Sequence, residues 1–137
     1  MIEKVTVRMN ADSEFEPVGF ATCDSLNPKE LLLCSAAKCA AMTALGVMHR
    51  GRLTPRRFEV SVSGRLSTDE LRAESVFTEF NVVYDAEAPS DDEQLKISRA
   101  LNLAHEKYCG LVKMLRQIAP VSHETCVVVT ETAGTLK

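Results

Sequence analysis

The chain has 137 residues, of which 45% are hydrophobic and 26% are charged, values that are ordinary for a globular protein and unlike those of a disordered or membrane-embedded chain. Its 16 basic and 19 acidic residues give a formal net charge of -3, which provides no basic surface of the kind that nucleic acid requires. We therefore expect a single domain over residues 1–137, with neither nucleic acid nor a membrane as a partner.

The first elements in chain order are predicted to form a β-hairpin. Residues 5–9 alternate between apolar and polar side chains, residues 10–13 are rich in turn formers, and residues 15–22 are typical of a return strand. The opening residues lack the long apolar core and the small-residue cleavage site of an export signal, so we expect a cytoplasmic protein.

A long helix is predicted next, from about Pro28 to about Arg50. Asn27 can cap this helix, and proline suits the first helical position because its missing N–H has no partner there. Apolar residues occupy nearly every face of the segment, which is typical of a helix enclosed on both sides. We expect a sheet on one side of it and a subunit partner on the other.

The second half of the chain is predicted to contain two strands, two helices and a closing strand. After Gly51 ends the long helix, residues 57–66 and 74–84 form an antiparallel pair. Ser90 can cap a helix that runs to the Cys109-Gly110 break, a shorter helix covers residues 111–118, and residues 121–132 form the last strand. The predicted order is β-β-α-β-β-α-α-β, an α+β fold with one very apolar helix near its middle.

The cysteines are the residue class most indicative of chemistry. The sequence contains Cys23, Cys34, Cys39, Cys109 and Cys126, an odd number in a chain without an export signal, so a framework of structural disulfides explains them poorly. No two form a Cys-x-x-Cys pair and the three histidines are scattered, so we expect no metal and no other cofactor. Cys23, Cys34 and Cys126 are interpreted as small core residues.

Two cysteine-bearing segments carry a family resemblance. Residues 27–39, Asn-Pro-Lys-Glu-Leu-Leu-Leu-Cys-Ser-Ala-Ala-Lys-Cys, resemble the Asn-Pro-x-x-Leu-Leu segment that leads into the first active cysteine of the OsmC/Ohr family. Residues 105–109, His-Glu-Lys-Tyr-Cys, precede a short helix and a Pro-Val strand start and resemble the segment with that family's second cysteine. The resemblance covers about residues 24–129. It implies an OsmC-like fold, built as an intertwined homodimer with buried central helices and an active site near each subunit interface.

One position departs from the peroxidase branch of the family. That branch carries an acidic residue directly after Asn-Pro, whereas Lys29 stands here. The neighbouring Glu30 is acidic but points about 100° further round the helix, and we keep it among the supporting residues. The chain looks closer to the OsmC-like branch, whose motif reads Pro-x-Glu-Leu-Leu-Leu.

By this resemblance, Cys39 and Cys109 are the catalytic pair of a dithiol peroxidase that reduces organic hydroperoxides or hydrogen peroxide. Cys39 would attack as a thiolate, become a sulfenic acid and condense with Cys109, and a dithiol reductant would restore both thiols. Because burial alone raises the pKa of a thiol, a cation must hold the thiolate. Arg8 on the opening strand is favoured for that role, with Arg50 and Arg116 as alternatives.

Two further expectations concern His105 and the overall activity. His105 lies four residues before Cys109 and is a candidate base for its thiol if the helix is unbroken; the other interpretation is a partly exposed surface histidine. The alternative function is a noncatalytic OsmC-like dimer that binds a small apolar or thiol-reactive ligand in the interfacial cavity. Lys29 at the usual acidic position favours that alternative.

Overall fold

The computed structural model describes residues 1–19 and 25–130 of the chain. Within those ranges it forms five strands and three α-helices, so the mixed α+β class expected from the sequence is confirmed. The strands are β1 (Ile2–Met9), β2 (Phe15–Pro17), β3 (Arg57–Leu66), β4 (Phe77–Ala88) and β5 (Val121–Val129), and the helices are α1 (Pro28–Arg50), α2 (Asp91–Leu103) and α3 (Gly110–Ile118). A π-helical turn, Ala104–Tyr108, joins α2 to α3.

The strands form one sheet in the order β2-β1-β3-β4-β5. All neighbouring pairs are antiparallel except β4 and β5, which are parallel. The connection between these two strands explains the exception. α2, the π-helical turn and α3 return the chain to the end of the sheet at which β4 begins, so β5 runs in the same direction as β4.

Some predicted strand limits differ from the observed ones. The predicted strand over residues 74–84 is observed as Phe77–Ala88. It starts later because Ser75 is in the preceding loop, where its hydroxyl accepts a hydrogen bond of 3.0 Å from the Arg72 amide. It ends later because Ala88 still pairs with Val129 of β5. The predicted return strand is observed as Phe15–Pro17, and the remainder of that prediction includes residues 20–22, which lie outside the described part of the chain.

The helices cover one face of the sheet. α1 packs on β1 and β3, while α2 packs on β4 and β5 and also contacts α1. Strand alternation directs the apolar side chains into this layer, for example Val5 and Val7 of β1 and Val82 and Tyr84 of β4. By length and composition alone α1 could cross a membrane, but eight of its residues are buried in the protein, which is the arrangement of a core helix.

Local signals explain why α1 begins where the sequence predicts. Asn27 accepts a hydrogen bond of 2.8 Å from the amide of Glu30, and the Glu30 carboxylate accepts one of 2.9 Å from the amide of Asn27. This capping box satisfies two amides that have no partner inside the helix. Ser90 stands at the corresponding position of α2 but makes no capping hydrogen bond to the backbone.

Candidate functional site: a buried cysteine pair

The fold brings Cys39 and Cys109 into contact. Cys39 is half-buried on α1, and Cys109 is buried at the start of α3. Their Sγ atoms lie 3.5 Å apart, with the Cys109 thiol as the donor. A disulfide bond measures about 2.05 Å, so the sulfurs are adjacent and not bridged. The Cys39 sulfur also lies 4.0 Å from the Thr43 hydroxyl.

The π-helical turn determines where Cys109 is placed. The Cys109 amide donates a 3.0 Å hydrogen bond to the Ala104 carbonyl, five residues earlier. Cys109 then takes an extended conformation, and α3 starts at the next residue. The helix predicted from Ser90 to Cys109 is therefore regular only as far as Leu103, and the π-helical turn replaces its last five residues. A π-helical turn inside a helical segment frequently occurs at a functional site.

The Cys109 thiol keeps its proton at neutral pH. Burial raises the pKa of its thiol to about 11, although the backbone amides of Val112 and Leu111 lower it. The contact with Cys39 adds to the increase. The amides at this break favour the thiolate, but desolvation has the larger effect on the pKa. Cys109 consequently retains a proton with which it can hydrogen bond to the Cys39 sulfur.

His105 is neither a surface residue nor an effective base. Its side chain is buried, with Nδ1 2.6 Å from the Tyr84 hydroxyl, and its ring stacks on His123 at 4.0 Å. Burial, His123 and Arg116 lower the pKa of His105 to about 4. Because the pKa of the Cys109 thiol is raised and that of His105 is lowered, proton transfer from this thiol to His105 is strongly unfavourable.

Two polar residues that the sequence analysis did not select, Tyr84 and His123, contact His105. Burial raises the pKa of Tyr84, and a negative charge on either cysteine sulfur would raise it further, so the Tyr84 hydroxyl lies within electrostatic range of both sulfurs. His123 Nε2 lies 2.8 Å from the Asn102 side-chain oxygen. The sequence did contain a signal for Tyr84, because it stands on the inward face of an alternating strand and a buried hydroxyl usually requires a partner.

The favoured cation is not at the site. Arg8 alternates with the buried Val7 along β1 and therefore lies on the sheet face that the helices do not cover. There its Nε donates a 2.8 Å hydrogen bond to Glu59 across the strand pair. The prediction that Arg8 holds the Cys39 thiolate is wrong within this chain, because the sheet separates Arg8 from α1.

The residues after Asn-Pro have structural contacts of their own. Glu30 is engaged in the capping box, and it lies nine positions before Cys39 on the helix, a rise of about 13 Å. Lys29 Nζ donates hydrogen bonds to the carbonyls of Arg72 and Ala73, at 2.9 and 3.4 Å. Neither side chain is therefore brought to the cysteine pair.

The two alternative arginines contact residues that precede Cys109. Arg116 on α3 donates a 3.1 Å hydrogen bond to the His105 carbonyl, and its positive charge lowers the pKa of Tyr84. The Arg50 guanidinium lies 5.9 Å from the ring centroid of Tyr108, the residue directly before Cys109. Both cations therefore contact the π-helical turn that directly precedes Cys109.

The remaining cysteines have different environments. Cys34 is half-buried and packs against the core, as predicted. Cys126 is exposed, so its assignment to the core was wrong. It alternates with the half-buried Val127 along β5, which turns its side chain away from the helices. Cys23 lies outside the described residues.

A groove lies next to residues that adjoin the cysteine pair, although neither cysteine lines it. Its volume is about 620 Å³, within the usual range for small-molecule sites. Thr43, which contacts Cys39, and Tyr108, which precedes Cys109, both line it. The other lining residues come from α1 and its end and from α2, and they are Met42, Gly46, Val47, Arg50, Gly51 and Leu103.

The fold and the site together define a mixed α+β protein in which a helical layer holds two adjacent, unbridged thiols beside an open groove. The chain belongs to the OsmC-like protein family, whose sequence profile matches residues 21–124. It is 29% identical to Protein YhfA of Escherichia coli K12 over 104 residues, which cover 74% of this chain and 73% of that protein.

Solved structures share the fold. An OsmC-like protein from Mycoplasma pneumoniae matches with a TM-score of 0.61 and 18% identity, covering 93% of this chain and 96% of its own. The organic hydroperoxide resistance protein OhrB of Bacillus subtilis matches with a TM-score of 0.55 and 18% identity, covering 91% of this chain and 97% of its own.

Proposed function

We propose that the chain is a thiol-dependent peroxidase that reduces organic hydroperoxides or hydrogen peroxide, with Cys39 as the nucleophile and Cys109 as the resolving thiol. The observation that carries the proposal is the 3.5 Å contact between the two sulfurs. Family membership supports it, since relatives of the same fold include a protein named for organic hydroperoxide resistance.

In the first step the Cys39 thiolate attacks the outer oxygen of the hydroperoxide. The O–O bond breaks, the alcohol leaves with a proton, and Cys39 becomes a sulfenic acid. The Cys109 sulfur then attacks the sulfenic sulfur, hydroxide departs with the Cys109 proton as water, and the disulfide forms. The sulfurs, 3.5 Å apart, need to approach by only about 1.5 Å to reach bonding distance.

A dithiol reductant would complete the cycle by thiol–disulfide exchange. Exchange regenerates both protein thiols and leaves the reductant as a disulfide, so the electrons for the peroxide come from the reductant. Such a cycle fits the cytoplasm, where reduced thiols are maintained.

A homodimer is the proposed assembly. α1 is covered by the sheet on one side, while Leu31, Leu32 and Met42 of α1 remain exposed. Met114 and Ile118 of α3 are also exposed, at 60% and 56%. Large apolar side chains grouped on one helical layer are typical of an interaction surface, and a second copy would enclose α1 and one side of the groove.

The test is peroxide consumption by the reduced protein with dithiothreitol as reductant and cumene hydroperoxide as substrate. We expect Cys39→Ser to abolish turnover and Cys109→Ser to allow about one equivalent of peroxide per thiol before activity declines through over-oxidation. Cys126→Ser is the matched control, because this cysteine is exposed and lies away from the pair. Turnover that survives in Cys39→Ser would refute the assignment.

One observation favours a second candidate, a noncatalytic dimer that binds a small apolar or thiol-reactive ligand. Arg8 pairs with Glu59 on the outer face of the sheet, and Lys29 stands where the peroxidase branch has an acidic residue and bonds to the Arg72 carbonyl, so neither the favoured cation nor that acidic residue lies beside Cys39. Under this candidate, Cys39→Ser would bind the ligand as tightly as the unsubstituted protein, and neither would consume peroxide.

A further inference from the structure

The register of the π-helical turn is supported by an arginine outside the turn. In a regular α-helix the Cys109 amide would donate to the His105 carbonyl, four residues earlier. Here it donates to the Ala104 carbonyl instead, at 3.0 Å, which leaves the His105 carbonyl without its helical donor. Arg116 of α3 supplies a substitute, because its Nη2 donates a 3.1 Å hydrogen bond to that carbonyl. The guanidinium therefore stabilises the π register relative to the α register.

The side chain of His105 is a second anchor of the turn. Its Nδ1 lies 2.6 Å from the Tyr84 hydroxyl, and both residues are buried. Tyr84 belongs to β4, an interior strand that pairs with β3 on one side and with β5 on the other. The His105 ring also stacks on His123 of β5, with 4.0 Å between the ring centroids. The turn is thus fastened to the interior of the sheet, the kind of region that opens least in a folded protein.

The register of the turn decides which way Cys109 faces. A shift of one residue rotates the following part of a helix by about 100°, so a return to the α register would turn the Cys109 side chain away from its present neighbour. In the observed register its Sγ lies 3.5 Å from that of Cys39. Because π-helical turns are rare, this register requires contacts that stabilise it, and those of Arg116 and Tyr84 do so.

Closure of the disulfide is the step of the proposed reaction that depends on this placement. The Cys109 sulfur forms the S–S bond with the Cys39 sulfenic sulfur, the S–O bond breaks, and hydroxide leaves with the Cys109 proton as water. The earlier attack on the peroxide forms no bond to Cys109. A misplacement of about 1 Å lowers the rate of a reaction between positioned groups by as much as about 100-fold. Loss of an anchor should therefore slow closure and leave the peroxide step unchanged.

We propose that Tyr84 and Arg116 are positioning residues for the resolving thiol and that both act through His105. Tyr84 holds the His105 side chain and Arg116 holds its carbonyl, and together they keep the register that places Cys109 against Cys39. This inference rests on the proposed peroxidase function for the step that it accelerates, whereas the placement of the two thiols is a property of the reduced protein alone.

Single-turnover kinetics with cumene hydroperoxide separates the two steps. We expect Tyr84→Phe and Arg116→Met to consume the first equivalent of peroxide at the unsubstituted rate but to form the Cys39–Cys109 disulfide about 10- to 100-fold more slowly. Samples quenched with acid give the disulfide by mass spectrometry, and dimedone traps the longer-lived sulfenic acid. Slower peroxide consumption with unchanged closure would overturn the proposal, because Arg116 would then act on the thiolate and not on the turn.

Two variants serve as controls. Arg99→Met removes an exposed arginine of α2. Asn27→Ala destabilises the protein through the cap of α1, twelve positions before Cys39, so it shows what a loss of stability alone does. Both should close the disulfide at the unsubstituted rate, and slow closure in Asn27→Ala would overturn the proposal. Arg116 is exposed, so Arg116→Met still tests the proposal if Tyr84→Phe does not fold.

A redox equilibrium tests the placement of the thiols without peroxide. The protein is equilibrated with mixtures of reduced and oxidised dithiothreitol, and the fraction with a Cys39–Cys109 disulfide is measured by mass spectrometry. We expect Tyr84→Phe and Arg116→Met to lower the equilibrium constant for this disulfide about 10-fold, which raises its reduction potential by about 30 mV. An unchanged constant in both variants would overturn the proposal. If no peroxide is consumed but the constant falls in both, the peroxidase function fails and the positioning role stands.

Discussion

The buried His105 should make the protein sensitive to mild acid. Its pKa is lowered to about 4 in the folded protein, whereas that of an unfolded histidine is about 6.5. Between these two pH values the unfolded chain binds a proton that the folded protein does not. The stabilising contribution is thus complete above about pH 6.5 and is lost as the pH falls toward 4, and its full size is about 3 kcal/mol.

The measurement is the free energy of unfolding in urea at several pH values between 7 and 4, for the unsubstituted protein and for His105→Gln. Glutamine can still hydrogen bond to Tyr84 but has no titration in this range. The unsubstituted protein should lose up to about 1.4 kcal/mol more per pH unit than the variant. His49→Gln removes an exposed histidine and should follow the unsubstituted protein. Parallel profiles for the unsubstituted protein and His105→Gln would refute this role of His105.

Three further predictions concern packing, capping and thiol reactivity. Gly64→Ala should destabilise the protein by about 1 to 3 kcal/mol in urea unfolding, because a Cβ there would lie 2.4 Å from the Phe77 ring; equal stability would show that the ring moves at little cost. Asn27→Ala should lower the free energy of unfolding by about 1 kcal/mol through loss of the capping box, and no change would contradict the observed cap. Iodoacetamide at pH 8 should modify the exposed Cys126 quickly and the buried Cys109 slowly, as followed by mass spectrometry; equal rates would be inconsistent with a buried thiol whose pKa is raised.

The elements with local signals were predictable from the sequence. α1 has both limits as predicted, since a cap, a proline and a terminal glycine mark them. β3 also has its predicted limits, because its apolar residues alternate clearly along the strand. The family motifs identified Cys39 and Cys109 as candidates, but their separation depends on the packing of α1 against the π-helical turn, which no local pattern specifies.

The three errors, on Arg8, Cys126 and His105, differ in whether the sequence could have prevented them. Arg8 could have been placed correctly, since the alternation that predicted β1 puts its side chain on the opposite face of the sheet from that of Val7. The face of Cys126 was harder to assign, because the apolar run around it in β5 does not alternate, and pairing with β4 and contact with α2 determine which side is covered. The burial of His105 depends on the π-helical turn and on a partner 21 residues away in Tyr84, so sequence periodicity does not indicate it.

The most direct test of the account is to map disulfides by mass spectrometry after the reduced protein receives one equivalent of cumene hydroperoxide. The account predicts a single new bond between Cys39 and Cys109, formed as the peroxide is consumed and reversed by dithiothreitol. Peroxide consumption without that bond, or an unreacted pair after the peroxide has been added in excess, would contradict it.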